Sequence, residues 1–211
     1  MREPVNTWTH LVGILLSIAG LITMIVTAAL NENLISIIGG AIFGISMILL
    51  YTASTVYHGY NGTDSVILKL KKVDHAMIFV LIAGTYTPIC MVALGGALGY
   101  GLLAGIWTLA IIGMVAKIKF IHMPRVLSAG IYVFLGWISV AFIHPLSEAL
   151  SFGGFFWLIA GGLFYTIGAI FYATKSEKIK IGVFGFHEIF HLFILAGSLA
   201  HFILIQSYLM H

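Results

Sequence analysis

Charge is scarce in this sequence: Asp, Glu, Lys and Arg make up 8% of its 211 residues, ten cations against seven anions. A water-exposed surface normally draws on about 25% charged residues, so a soluble globular chain is excluded. Ten cations in short, separated clusters make no continuous basic face, which excludes a nucleic-acid partner. Cysteine is nearly absent; the single Cys90 has no internal partner, so the fold holds without disulfides and redox chemistry is not indicated. The four prolines and 24 glycines are dispersed through apolar runs and build no disordered tail or linker. Also missing are the alternating segments of about ten residues that would mark a membrane β-barrel, and a small-residue cleavage site after a short apolar core that would mark a signal peptide. What fills the chain is apolar: 61% hydrophobic residues and a mean hydropathy of +1.10. This composition belongs to a polytopic membrane protein.

A hydrocarbon core of ~30 Å takes about 20 apolar residues per helix. Seven such runs are present, at 8–30, 34–57, 73–94, 98–116, 126–144, 152–173 and 183–208. The expected fold is therefore all-α, a seven-transmembrane helix bundle forming one domain over residues 1–211. Every cation falls on one side of the alternation: Arg2 before the first run; Lys69, Lys71 and Lys72 between the second and third; Lys117, Lys119 and Arg125 between the fourth and fifth; and Lys175, Lys178 and Lys180 between the sixth and seventh. The positive-inside rule then predicts a cytoplasmic N-terminus and an extracytoplasmic C-terminus.

Each helical residue advances ~1.5 Å, so position along a run gives depth, and the ionisable residues collect in the cytoplasmic third. The second run ends Ser54-Thr-Val-Tyr-His58, the third begins with Asp74-His75, and the seventh begins His187-Glu188-Ile-Phe-His191. Ser54 and His58 are spaced i, i+4 and share a helix face, as do His187 and His191. Ionisable groups within a membrane are costly and point to function. Three imidazoles converging at one level suit Zn²⁺, and a set of three protein ligands leaves a fourth position for water. Zinc lowers the pKa of such a water to around 7. Asp74 is then placed to orient or deprotonate it, and Ser54 to hydrogen-bond a ligand, a carboxylate or a substrate carbonyl.

Plainer readings stand beside these. A single histidine in a membrane helix is more often a hydrogen-bonded packing residue than a ligand. His187-Glu188-Ile-Phe-His191 matches the zinc-protease H-E-x-x-H string literally, yet it lies at the inner edge of a membrane helix, where Glu188 can simply face the headgroups. His10, with Asn6 and Glu3, either supports the site or is merely interfacial. His75 projects from a different face than Asp74. His201 lies ten residues, or ~15 Å, beyond His191, too far to share a metal, and is expected to bond a neighbouring helix. His122, His144 and His211 fall in loops or at the chain end. Pro88 is expected to kink the third helix, with threonine hydroxyls satisfying freed carbonyls.

Taken together and in order, Asn6-Thr-Trp-Thr-His10, Ser54-x-x-x-His58, Asp74-His75, Gly84-Thr-Tyr-Thr-Pro88 and His187-x-x-x-His191 resemble the hemolysin III family, the bacterial branch of the progestin and adipoQ receptor superfamily that includes the adiponectin receptors. The resemblance covers essentially the whole chain. It implies seven helices with a cytoplasmic N-terminus and a zinc ion near the inner leaflet. The ligands would be His58, His187 and His191, with Asp74 near a metal-bound water. The superfamily also looks related to alkaline ceramidases, which use a similar serine, aspartate and three-histidine set on lipid amides.

The expected protein is a multi-pass protein of the bacterial inner (plasma) membrane, zinc-binding, that hydrolyses lipid amide or ester bonds near the inner leaflet, with a membrane lipid as substrate or ligand. The catalytic candidates are Asp74 and Ser54; the metal ligands are His58, His187 and His191. Two other readings stay open: a cytolytic, pore-forming hemolysin, and a non-catalytic regulator or receptor-like protein of membrane homeostasis with structural zinc.

Overall fold

The computed structural model describes residues 1–175 and 182–211. Eight helices account for seven spans: α1 (Pro4–Leu30), α2 (Leu34–Gly59), α3 (Asp64–Pro88), α4 (Gly96–Lys119), α5 (Arg125–Gly136), α6 (Ile143–Ala149), α7 (Phe152–Thr174) and α8 (Phe186–Tyr208). No strand occurs among the described residues. All seven spans are long and apolar enough to cross a membrane. Large apolar side chains such as Ile112, Phe134, Phe152, Phe156 and Ile170 stand exposed on α4, α5 and α7. Lipid, not water, matches such a surface.

The helix ends follow local chemistry. Pro4 opens α1, where its missing N–H costs nothing. The side chains of Asn33 and Ser151 accept from Ser36 N and Gly154 N, capping α2 and α7. At the start of α8, Glu188 Oε2 reaches back to accept from the N-cap Gly185 N at 2.9 Å.

Three elements depart from the apolar runs. Helix α3 begins at Asp64, nine residues before its run, so Lys69, Lys71 and Lys72 lie within a helix; Lys117 and Lys119 likewise belong to α4. Hydropathy marks the lipid-crossing stretch, whereas a helix continues until something breaks it, and nothing between Asp64 and Val73 does. Lys178 and Lys180 lie outside the described residues.

Secondly, Pro88 is followed by a single π turn, Ile89–Leu94. Its i→i−5 bonding appears as Gly95 N donating to Cys90 O at 3.0 Å, and Gly95, at φ 58°, ends it. The expected threonine compensation is displaced: Thr85 and Thr87 hydroxyls bond Leu81 O and Ala83 O, not the Gly84 carbonyl that Pro88 frees.

Thirdly, the fifth span is not one helix. After Gly136 it narrows to a 3-10 stretch, Trp137–Phe142, before α6. The Tyr86 hydroxyl donates to Gly136 O at 2.6 Å and accepts from Ser139 N at 2.9 Å, inserting into the backbone ladder and taking the bonds a helix would have used. His144 therefore sits on α6 rather than in a loop, 3.4 Å from Glu148 on the exposed surface.

Contacts between helix ends fix the arrangement. Glu3 N donates to His58 O at 3.1 Å, joining the start of α1 to the end of α2. At the opposite face the Ser36 hydroxyl donates to Leu209 O at 2.8 Å, joining the start of α2 to the end of α8. The larger core, with Met24, Phe43, Tyr51, Leu204 and Ile205, lies between α1, α2 and α8; a smaller one, with Phe79, Ile106 and Leu135, lies between α3, α4 and α5. The start of α8 is thus held against the end of α2, at the face where α1 begins.

Candidate metal centre

His58 occupies the last turn of α2, and His187 and His191 the first two turns of α8. One ligand nitrogen from each lies within 4.8 Å of the others. His58 Nε2 and His187 Nε2 are 3.5 Å apart, and the ring centroids are separated by 4.8–5.1 Å. His58 and His191 are buried and His187 half-buried. Among the described residues this is the one group of side chains so placed. Such a set can hold a metal ion with one position left open.

The donor set fits a metal for a further reason. His58 Nδ1 is 2.6 Å from Glu3 Oε2. A carboxylate only accepts, so Nδ1 carries the hydrogen and Nε2 is turned toward the two other histidines with its lone pair free. Glu3 is itself held: Asn6 Nδ2 donates to Glu3 Oε2 at 3.1 Å and to Glu188 Oε1 at 3.0 Å, and Arg2 Nε donates to Glu3 Oε1 at 3.1 Å. The hydrogen bond from His58 dominates and holds the Glu3 carboxyl down at about 2, against its partial burial. On another side, the ring of His10 stacks on that of His191, centroids 3.8 Å apart and planes 9° apart. Both His10 ring nitrogens are buried without a hydrogen-bond partner.

Beside His187 and His191 opens a cavity of about 130 Å³, room for on the order of ten waters. Ser54, Asp74, His187 and His191 line its polar end; Leu50, Ile78, Leu81, Ile194 and other apolar side chains line the rest. Ser54 and Asp74 are both buried.

The profile of the family described as "Haemolysin-III related" matches residues 1–202. The chain belongs to this family. A hemolysin-3 homolog of Bacillus subtilis (strain 168) is 41% identical over 207 residues, covering 98% of this chain and 94% of that protein. Hemolysin-3 of Bacillus cereus is 40% identical over 210 residues, covering 99% and 92%. More distantly, an adiponectin receptor protein of Drosophila melanogaster is 27% identical over 226 residues, 95% of this chain and 49% of that protein.

In this haemolysin-III-related chain the i, i+4 pairs do bring His58, His187 and His191 together, and Asp74 and Ser54 line the cavity that His187 and His191 border. His10 is no interfacial residue: it is buried against a candidate ligand. His75 lines the cavity outside the histidine group. Glu188 is occupied by Gly185 N and Asn6, a helix cap and inter-helix tie that accounts for the H-E-x-x-H string without protease chemistry. Glu3 is hard to assign from the sequence: its bond to His58 spans 55 positions, and no local pattern announces it.

Proposed function

We propose that this haemolysin-III-related protein is a zinc-dependent hydrolase of lipid amide or ester bonds in the bacterial plasma membrane. The observation that carries the reading is the cavity beside the histidine group: His187 and His191, which can hold a metal together with His58, line it with an aspartate and a serine, and apolar side chains line the rest. Zinc bound there would act as a Lewis acid and bring the ionisation of a water close to neutral pH.

The chain's own groups do the rest. Asp74 takes a proton from the attacking water and returns it to the departing amine or alcohol as the carbon–nitrogen or carbon–oxygen bond breaks. The water oxygen ends on the acyl carbon, giving a fatty acid. Ser54 orients Asp74 and is within reach of the substrate carbonyl. The apolar walls take the acyl chain, and burial excludes competing water. The cation pattern of the sequence, with all ten on the N-terminal side of the alternation, supports a site near the inner leaflet.

One observation favours the non-catalytic alternative: the three ligands come from only two helices, α2 and α8, the arrangement of a staple. Turnover separates the two. Purified zinc-loaded protein is expected to release fatty acid from a lipid amide, with His191→Ala losing both metal and product; stoichiometric zinc with no turnover on a broad lipid panel favours the staple. Solute leakage from protein-loaded vesicles, unaffected by chelators, would instead favour a pore.

A further inference from the structure

The far end of the cavity carries a polar group the hydrolytic reading does not use. His201 lies ten residues beyond His191 on α8, ~15 Å along the helix axis, and lines the same cavity. It is 5% exposed. Its Nδ1 is 2.8 Å from Gly197 O; a carbonyl only accepts, so Nδ1 bears the hydrogen and Nε2 of the neutral ring is an acceptor. Tyr165 stacks on the ring at 5.3 Å and 16°, while a Cβ at Gly161 would collide with it. Tautomer and ring plane are thus both set by packing.

Nε2 has no hydrogen-bond partner among the described residues, although neighbouring polar groups do. Tyr51 and Tyr165 hydroxyls both engage Ser198 Oγ, at 2.6 and 2.9 Å. Thr166 donates to Gly162 O and accepts from Trp137 Nε1. Nε2 opens onto the cavity rather than being sealed in protein; cavity water can satisfy it in the empty protein, and an apolar chain that displaces that water leaves it unpaired. A donor carried by the ligand satisfies Nε2 directly.

We propose that His201 Nε2 accepts a hydrogen bond from a hydroxyl borne partway along the ligand's apolar chain, so that the cavity selects hydroxylated acyl chains. This rests on the reading of the cavity as a lipid site. An extended chain advances about 1.2 Å per bond, a third of the reach of one backbone residue. The ~15 Å between the two histidines therefore places the hydroxyl on the order of a dozen carbons from the group held at the metal centre.

The test is displacement of radiolabelled stearate from the zinc-loaded protein in detergent, corrected for partition into the micelle. We expect 12-hydroxystearate to compete about five- to tenfold better than stearate, the worth of one net hydrogen bond, and 2-hydroxystearate to show no advantage. His201→Phe keeps a ring at the site, should bind stearate as before and should lose the preference; His201→Gln, which retains an acceptor, should recover part of it. Equal competition by the three acids, or a preference that survives His201→Phe, overturns the assignment while leaving the lipid cavity intact. Failure of every acid, stearate included, overturns the lipid cavity as well. The positional comparison on the unaltered protein decides the matter even if the variants do not fold.

Discussion

Glu3 Oε2 lies 2.6 Å from Nδ1 of His58, so the last residue before α1 orients a candidate metal ligand at the end of α2. Carboxylates that hold a ligating imidazole typically contribute ten- to a hundredfold to metal affinity. Glu3→Gln, which keeps shape but cannot remain a charged acceptor, should weaken zinc binding by about that factor in a competition titration with a chromophoric chelator. Unchanged affinity would show that the contact orients nothing.

Because the ligands join α2 to α8, metal removal should loosen the bundle. At zinc a hundredfold above Kd, binding adds about 2.7 kcal/mol. At roughly 2–4 °C per kcal/mol for a chain of this size, chelation should lower the unfolding midpoint by about 5–10 °C. His58→Ala and His191→Ala should bind no stoichiometric zinc by elemental analysis and show no further drop with chelator.

Asp74 and the histidines should separate in function. Asp74→Asn is expected to keep stoichiometric zinc and lose about 10²–10⁴ in kcat on a lipid amide, the usual size of a proton-transfer contribution. Ser54→Ala should lose less. Turnover retained by Asp74→Asn would remove it as the proton carrier.

Glu188 serves as a cap, so Glu188→Gln should leave kcat nearly intact. A glutamine oxygen can accept the same Gly185 N–H. The expected cost is a small fall in stability, on the order of 0.5–1 kcal/mol, read by thermal denaturation. A loss of several orders in kcat would restore the general-base role suggested by the H-E-x-x-H string.

Gly99, in the first turn of α4, faces the carbonyl of Cys90 in the π turn, and a Cβ there would collide with backbone rather than with a flexible side chain. Gly99→Ala should destabilise by about 1–3 kcal/mol. Gly101→Ala, in open space on the same helix, should be neutral or slightly stabilising and serves as the control.

The seven spans and the three-histidine set are both legible in the sequence, and for related reasons. Lipid cannot hydrogen-bond a backbone, so apolar length alone forces helices; and within a helix, i, i+4 spacing places Ser54 with His58 and His187 with His191 on single faces. The scarcity of charge made the few polar residues conspicuous, so Asp74 stood out as well. What could not be read locally were the events between helices. The Tyr86 hydroxyl breaks the fifth span 50 positions away at Gly136, and nothing near Gly136 in sequence states where that tyrosine will sit. Similarly, the free acceptor on His201 exists because Gly197 takes Nδ1 while Tyr165 and Gly161 pin the ring.

By itself, then, the chain specified how many times it crosses and which polar side chains it carries into the apolar layer, since both follow from one-dimensional hydropathy and helical period. Only the packed bundle decided which of those side chains meet: Glu3 with His58, His10 against His191, Asn6 between two carboxylates, and His201 facing a hollow. The physical reason is that each of these pairings depends on the rotation and tilt of one helix against another, quantities fixed by the close fit of residues such as Gly99 and Gly161 to their neighbours and by no pattern within a single segment.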